Sequence, residues 1–204
     1  MAKLIMRCPA GACGYASELD QTTRDMLHDG HDFFTTAASM SLREYRSEDL
    51  PAIHAINESA YPAVATETVE ALGHIADESL IALVAEIDGE IAGFCLVLGP
   101  GADYDSLNYL WFAAHFSDFV YLDRIAIAPA FRRRGIGRDM YAEVERLAAA
   151  RRPSAKEFTL EVNLRPRNPE SLAFHAQLGF VEVGQQETDY GALVSLMSKP
   201  LPGA

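Results

Sequence analysis

Cysteine is scarce in this chain, and no apolar run is long enough to cross a membrane. The three cysteines, Cys8, Cys13 and Cys95, are an odd and sparse set in 204 residues. Such a set argues against a disulfide framework and favours a reducing compartment. Acidic residues interrupt the most apolar stretch, residues 80–99, and residues 1–7 lack the apolar core of a signal peptide. These absences predict a cytoplasmic protein that does not enter a membrane.

Basic residues are also few, with 17 Lys and Arg against 29 Asp and Glu and a net charge of −12. This acidity argues against nucleic acid as a partner, because phosphate backbones are bound by basic surfaces. The basic residues are concentrated in residues 124–167, which hold eleven against five acidic residues, whereas residues 1–123 hold five against twenty. A local excess of positive charge in an acidic chain predicts a site for a small polyanion.

The sequence divides into an N-terminal extension and one domain. Residues 1–40 show little hydrophobic periodicity, and we interpret them as an extension of unclear role that precedes a domain over residues 41–204. Strand and helix patterns in the domain follow the order β-α-α-β-β-β-α-β-α-β-β, with Asp88-Gly89 as a hairpin turn. This order predicts an α/β (α+β) fold with a mixed sheet of about seven strands flanked by about four helices.

The basic region contains a turn suited to phosphate. Residues 128–140, APAFRRRGIGRDM, place three arginines and a Gly-x-Gly between a strand pattern and a helix pattern. A helix N-terminus has unpaired N–H groups and a positive dipole, and glycines let the backbone approach a ligand closely. The stretch is neither a P-loop nor a dinucleotide fingerprint. A solvated basic turn is the alternative, but the strand–turn–helix setting favours phosphate binding.

Two stretches resemble motifs of one known family. LDRIAIAPAFRRRGIGRDMYAEVE resembles motif A of the GCN5-related N-acetyltransferases (GNAT), with Arg132, Gly135 and Gly137 at the positions of Arg/Gln-x-x-Gly-x-Gly/Ala. NPESLAFHAQLGF resembles the downstream motif B, and the likeness covers residues 41–200 in element order. The resemblance implies a mostly antiparallel sheet, acetyl-CoA or another acyl-CoA as donor, and an amine as acceptor.

The resemblance also implies which residues bind the donor. Its pyrophosphate would contact the backbone of the arginine–glycine turn, and its pantetheine arm would lie along the preceding strand as an added strand. Asn168 matches a family asparagine that contacts the cofactor arm, although its place at a helix start equally predicts an N-cap. The implied cofactor-binding residues are Ile125, Ala126, Ile127, Arg132, Arg133, Arg134, Gly135, Ile136, Gly137, Arg138 and Asn168.

Acyl transfer to an amine needs a base, an oxyanion donor and a proton for the leaving thiolate. Glu161 matches the position where some family branches place their base, and Asp123 is a second candidate. A solvated strand residue is the alternative for each, and pairing with Arg124 is a further alternative for Asp123. His175 stands where the family has a tyrosine, and we interpret it as a general acid, a group that hydrogen-bonds to the thiol, or a packed helix residue. Tyr121 and Tyr190 are alternative proton donors.

Residues 101–119 form a long connection rich in aromatics. Such connections are commonly binding loops, so we predict that Tyr109, Trp111 and His115 contact the acceptor. A short helix that buries its aromatics in the core, or a dimer contact, is an equally good interpretation. Acidic side chains in this stretch, Asp118 among them, would suit a cationic acceptor.

The N-terminal extension carries four residues of zinc-ligand type, Cys8, Cys13, His28 and His31. Their spacing does not match a common zinc site, and we expect no metal.

The sequence thus predicts an N-acetyltransferase that transfers the acetyl group of acetyl-CoA to a primary amine by direct attack in a ternary complex. The expected acceptor is a small cationic amine or a protein amino group, and homodimer formation is left open. The alternative is a catalytically inactive acyl-CoA-binding sensor or interaction module.

Overall fold

The computed structural model describes residues 39–188 and 191–201. The predicted zinc-type residues Cys8, Cys13, His28 and His31 and the alternative proton donor Tyr190 lie outside this part of the chain. No helix in the described ranges has both the length and the apolar character that a membrane span requires.

The described residues form seven strands and five helices. The strands and four of the helices follow the predicted order, and the fifth helix, α3, occupies the long aromatic connection. Two short 3-10 turns precede α1 and α4. The elements are β1 (Met40–Glu44), α1 (Leu50–Ser59), α2 (Val69–Glu78), β2 (Ile81–Ile87), β3 (Glu90–Leu98), α3 (Leu107–His115), β4 (Phe119–Ile127), α4 (Ile136–Arg151), β5 (Glu157–Arg165), α5 (Pro169–Gln177), β6 (Val181–Glu187) and β7 (Leu193–Pro200).

The strands form one sheet in the order β1-β2-β3-β4-β5-β7-β6. All neighbours are antiparallel except β4 and β5, which are parallel. This arrangement confirms the predicted mixed, mostly antiparallel sheet. Local signals explain several boundaries: Asp88 and Gly89 form the hairpin turn with positive φ, and the Asn168 side chain caps α5 by accepting from the Ser171 N–H at 3.1 Å.

The pairing of β4 with β5 ends early, and this positions the candidate site. It runs from Phe119 opposite Glu157 to Leu122 opposite Leu160. A register shift between β3 and β4 makes Asp123 a bulge, because Leu96 pairs with Arg124 whereas Val97 pairs with Leu122. Past this point the β5-facing edge of β4 is unpaired in the described part of the chain, and we call this gap in the pairing of the two strands the opening.

The two faces of the sheet pack against different helices. Alternate strand residues such as Leu122 and Phe158 form one core with α4. On the other face, Phe94 and Ala126 pack against α1 and α2, and Tyr121 packs against α3. The opening between β4 and β5 therefore connects an α4–α5 face with an α1–α3 face.

Candidate active site

Two predicted carboxyl groups meet at the opening on the α1–α3 face. Glu161 comes from β5 and Asp123 from the bulge of β4. The hydroxyl of buried Tyr121 donates to Glu161 at 2.8 Å. A tyrosine of β4 thus holds the carboxyl group of β5 near the point where the two strands stop pairing with each other.

Glu161 holds its proton unusually tightly. Burial raises its pKa from the ordinary value of 4.5 to about 8, and the negative charge of Asp123 adds to the effect. Hydrogen bonds from Tyr121 and Asn108 oppose the shift without cancelling it. A carboxyl group that exchanges its proton near neutral pH is suited to act as a general base.

Asp123 has different hydrogen-bond partners from Glu161. Its side chain is 5% exposed. Burial raises its pKa, but the Arg124 guanidinium 3.0 Å away and the Tyr104 hydroxyl 2.7 Å away stabilise its charge. The ion pair with a guanidinium thus distinguishes Asp123 from Glu161.

Arg124 connects this pair to the α1–α2 connection. The side chain is 5% exposed and donates to the Asn57 side chain at 3.1 Å, to the main-chain oxygen of Ala65 at 2.7 Å and to Glu67 at 2.5 Å. The pairing of Asp123 with Arg124, which the sequence left open, is present. Arg124 therefore holds the α1–α2 connection against β4 beside the opening.

Glu161→Gln is expected to stabilise the protein at alkaline pH. The pKa of Glu161 is raised from 4.5 to about 8. The free energy of unfolding therefore falls as pH rises through this range, and the ionised side chain destabilises the folded protein to the full extent above it. Removing the charge should raise the free energy of unfolding by about 1–3 kcal/mol at about pH 9 and have little effect at about pH 4, since solvent screens a half-buried group. Chemical denaturation at both pH values measures the free energy of unfolding. Substitution of the exposed Glu90 by Gln is the control. An equal rise in the free energy of unfolding of Glu161→Gln at both pH values would contradict the prediction.

The arginine–glycine turn lies on the other face, at the start of α4. Arg133 and Gly135 adopt positive φ values of 62° and 87°, which bend the chain into the helix. The first N–H groups of α4, from Ile136 onward, have no acceptor within the helix. A Cβ built at Gly137 would lie 3.6 Å from the Phe174 ring, an ordinary contact. The turn thus presents backbone N–H groups beside three exposed arginines, Arg132, Arg133 and Arg134.

The open edge of β4 presents the backbone of Ile125 and Ile127. The N–H of Ala128 donates to Ala92 of β3 at 2.9 Å. Since hydrogen bonding alternates along a strand, Ala126 also faces β3, and its neighbours on either side face the opening. The Nε of Arg132 donates to the main-chain oxygen of Ile127 at 3.0 Å, in agreement with this alternation.

His175 lies inside the α4–α5 face, 5% exposed. Its Nε2 is 2.5 Å from the Tyr141 hydroxyl, and its Nδ1 is 2.7 Å from the main-chain oxygen of Ser171. The structure places His175 as a packed helix residue across the sheet from Glu161 and Asp123. Its role as general acid stays a prediction.

The predicted acceptor residues of α3 occupy different environments. Tyr109 is 2% exposed, and its hydroxyl donates to Gly99 and accepts from Ala102, so it holds the preceding loop. Trp111 packs on Gly184 of β6 and stacks on exposed His115, with ring centroids 3.8 Å apart. The interpretation of residues 101–119 as a short helix with buried aromatics is therefore correct; acceptor contacts of Trp111 and His115 stay predictions.

Other residues of this connection reach the carboxyl pair and were not assigned to the site from sequence. Tyr104 donates to Asp123 at 2.7 Å. Asn108 acts to lower the pKa of Glu161 and accepts from Gln186 at 3.1 Å. Asp118 does not serve a cationic acceptor at this site, because it lies before β4, at the end of the strand remote from the opening, and pairs with Arg152. Among the described residues, no group of three His, Cys, Asp or Glu side chains could hold a metal ion.

Comparisons with known proteins agree with this fold. A family model described as acetyltransferase (GNAT) family matches residues 41–180. No curated protein matches the chain significantly. Among solved structures, the ribosomal-protein-S18-alanine N-acetyltransferase from Escherichia coli is 20% identical, with 81% of this chain and 96% of that chain covered and a TM-score of 0.62.

Two further structures carry ligands. The putative acetyltransferase yncA from Salmonella typhimurium, with its cofactor acetyl-CoA, is 20% identical over 82% of this chain and 96% of its own, with a TM-score of 0.62. NAA60 from Arabidopsis thaliana, in complex with a bisubstrate analogue, is 15% identical over 81% of this chain and 100% of its own, with a TM-score of 0.63. At these identities the likeness shows the fold.

Proposed function

The chain belongs to the GNAT acetyltransferase family, whose model matches residues 41–180, and from that premise we propose that the domain transfers the acetyl group of acetyl-CoA to a primary amine. The observation that carries the proposal is the opening between β4 and β5, with a phosphate-type turn on one face and a carboxyl pair on the other. A thioester that enters from the α4–α5 face and an amine that enters from the α1–α3 face would meet there.

The donor side would be held mainly by backbone groups. The pyrophosphate would accept hydrogen bonds from the N–H groups that begin α4, with the arginines as a charged rim. The pantetheine arm would extend along the outward-facing backbone of Ile125 and Ile127 as an added strand and would replace Arg132 as the partner of the Ile127 oxygen. The main-chain N–H of Ile125 would also be the donor to the oxyanion of the tetrahedral intermediate. The acetyl-CoA in the yncA structure supports this choice of donor.

The acceptor side would be held by acidic groups. A cationic amine would enter beside Asp123, whose negative charge favours it, and Glu161 would take a proton from the nitrogen. The neutral nitrogen then attacks the thioester carbon, the C–N bond forms and the C–S bond breaks, and the excess proton left on the nitrogen passes to the CoA thiolate as it leaves. The bisubstrate analogue bound to NAA60 supports direct transfer in a ternary complex. A small cationic amine or a protein amino group fits this chemistry, and a cytoplasmic location stays a prediction.

The runner-up function is an acyl-CoA sensor without turnover. The observation that favours it is His175, which replaces the family tyrosine and has both ring nitrogens in hydrogen bonds. The two functions differ in one assay: release of CoA from acetyl-CoA in the presence of a panel of polyamines, amino acids and peptides. Release with any amine supports the transferase, whereas tight binding without release from the whole panel supports the sensor.

Substitution of Gly137 tests the donor site. An alanine Cβ there makes only the ordinary contact with Phe174, so the fold should tolerate it, but the methyl group would stand in the path of the phosphates. We expect Gly137→Ala to weaken acetyl-CoA binding about tenfold and Gly137→Val more, measured by titration calorimetry.

The matched control is Gly73→Ala, also within a helix, where the added Cβ meets only the flexible side chain of Leu50. Affinity for acetyl-CoA should not change in this control. Equal affinities of the wild type and both Gly137 variants would show that phosphate binds elsewhere.

A further inference from the structure

One edge of the sheet carries an exposed apolar surface that the proposed acetyl transfer does not use. β6 is the last strand of the sheet, and its outer edge has no partner among residues 39–188 and 191–201. Val181 and Val183 of β6 are 61% and 40% exposed, and Leu107 and Leu110 of the adjacent α3 are 46% and 47% exposed. These are four of the seven large apolar side chains exposed in the described part of the chain. Exposed apolar surface is therefore concentrated at this edge, which is typical of an interaction site.

α3 runs alongside β6 in the opposite direction. Near the start of the helix Asn108 accepts from Gln186, and about one turn later Trp111 packs on Gly184, two residues earlier in the strand. Leu107 lies one turn before Trp111 on the same flank of the helix. This flank and the strand thus form one continuous surface. We call it the α3–β6 edge, and its residues are Leu107, Trp111, His115 and Val181–Glu187.

Charged residues are sparse along the α3–β6 edge. α3 contains no Lys, Arg, Asp or Glu, and β6 contains only Glu182 and Glu187. The strand lacks the lysine and proline residues that commonly keep edge strands from pairing, and its bulge at Val183 is the one feature of that kind. The chain carries a net charge of −12, which keeps two copies apart wherever their acidic surfaces meet. This edge is therefore a place where two copies can meet without strong repulsion.

We propose that two copies of this chain associate along the α3–β6 edge, with their β6 strands paired antiparallel about a twofold axis at Gly184. In this register Glu182 faces Gln186 of the second copy, whose amide can donate to the carboxylate. Val181 faces Glu187 of the second copy, so no two like charges are opposed. Because the axis is twofold, each of these contacts is made twice. The inference concerns assembly and does not depend on acetyl transfer.

The only tryptophan of the chain, Trp111, would lie at the centre of this interface. A Cβ built at Gly184 would be 2.8 Å from the indole, so the ring lies directly on the strand at the proposed axis. Facing residues of antiparallel strands are about 5 Å apart, and the two indoles would therefore be neighbours at the separation of an aromatic pair, about 4.5–7 Å. A basic partner would be attracted to the acidic surfaces instead of to this edge, which favours a second copy as the occupant.

The molar mass of the full-length protein tests the proposal. Analytical ultracentrifugation at micromolar concentrations should give twice the 22.3 kDa of one chain, and dilution should return the mass of one chain. Hydrogen exchange in residues 181–187 should slow as the concentration is raised through the same range, because N–H groups of the outer edge become paired.

A charge at position 181 tests the register. Val181→Glu should weaken dimer formation about tenfold or more, because it places a like charge opposite Glu187 of the second copy at both ends of the interface. Val181→Lys places an opposite charge there and should keep the dimer. The matched control is Val69→Glu, which changes a valine that is 39% exposed on α2, the helix that packs over β2 and β3. This control should leave the molar mass at each concentration unchanged.

Each result decides the proposal. A protein that is monomeric at all concentrations overturns it, and protected amides in residues 181–187 of such a monomer would show that another part of the chain covers the edge. A dimer that Val181→Glu does not weaken also overturns it, because the copies then meet elsewhere. If Val181→Glu does not fold, Leu107→Glu on the same edge replaces it and should weaken the dimer likewise. A protein that acetylates no amine contradicts the proposed function alone, since none of these measurements uses activity.

Discussion

Glu161→Gln should lower kcat about 10²–10⁴-fold and leave the Kd for acetyl-CoA unchanged. Glutamine keeps the size of the side chain and can still accept from Tyr121, but it cannot take a proton from the amine. The proposed donor site is on the opposite face of the sheet, so the substitution should not alter the Kd for acetyl-CoA. The measurement is steady-state acetylation of the best amine together with calorimetric binding of acetyl-CoA.

The pH dependence should separate a base from a merely structural carboxyl group. Because the pKa of Glu161 is raised to about 8 and a base acts when deprotonated, kcat should rise with pH through this value and level off above it. The Glu161→Gln variant should not show this rise of kcat with pH.

The control for this prediction is Glu157→Gln on the same strand. Glu157 lies where β4 and β5 still pair and bonds to Ser198, so its removal should leave kcat within about twofold. If the Glu161→Gln protein has wild-type kcat, or if its kcat still rises with pH near pH 8, another group is the base.

Local sequence signals predicted the frame of the site. Asp88-Gly89 indicated the β2–β3 hairpin, Asn168 indicated the start of α5, and the arginine–glycine turn indicated the start of α4. Each of these features depends on a few adjacent residues. The alternation of strand and helix patterns predicted their order. It did not predict α3, since the apolar residues of residues 101–119 fitted a loop equally well.

The assembly of the site could not be predicted in this way, because its contacts join distant parts of the chain. Tyr121 meets Glu161 across 40 residues, and Arg124 meets Asn57 across 67. No local pattern marks Asn108 as a partner of Glu161. Spacing placed His175 on a helix, but only the packing of α4 against α5 brings it to Tyr141, 34 residues earlier.

Arg124→Met is expected to lower the free energy of unfolding by about 3–5 kcal/mol. Arg124 is 5% exposed and donates to Asp123, Asn57, Ala65 and Glu67. Methionine fills much of the volume but donates nothing, so a buried carboxylate and three further acceptors lose this donor. Hydrogen exchange should also quicken in the α1–α2 connection that Arg124 holds.

Two variants decide whether this effect comes from buried charge. Arg146→Met removes an exposed arginine whose partner is Glu143 on the same helix, and should change stability by about 0.5 kcal/mol or less. Arg124→Met/Asp123→Asn removes both members of the buried pair and should regain about 1 kcal/mol or more over Arg124→Met, because an uncompensated carboxylate no longer remains. If Arg124→Met lowered the free energy of unfolding as little as Arg146→Met, packing rather than Arg124 would hold the α1–α2 connection in place.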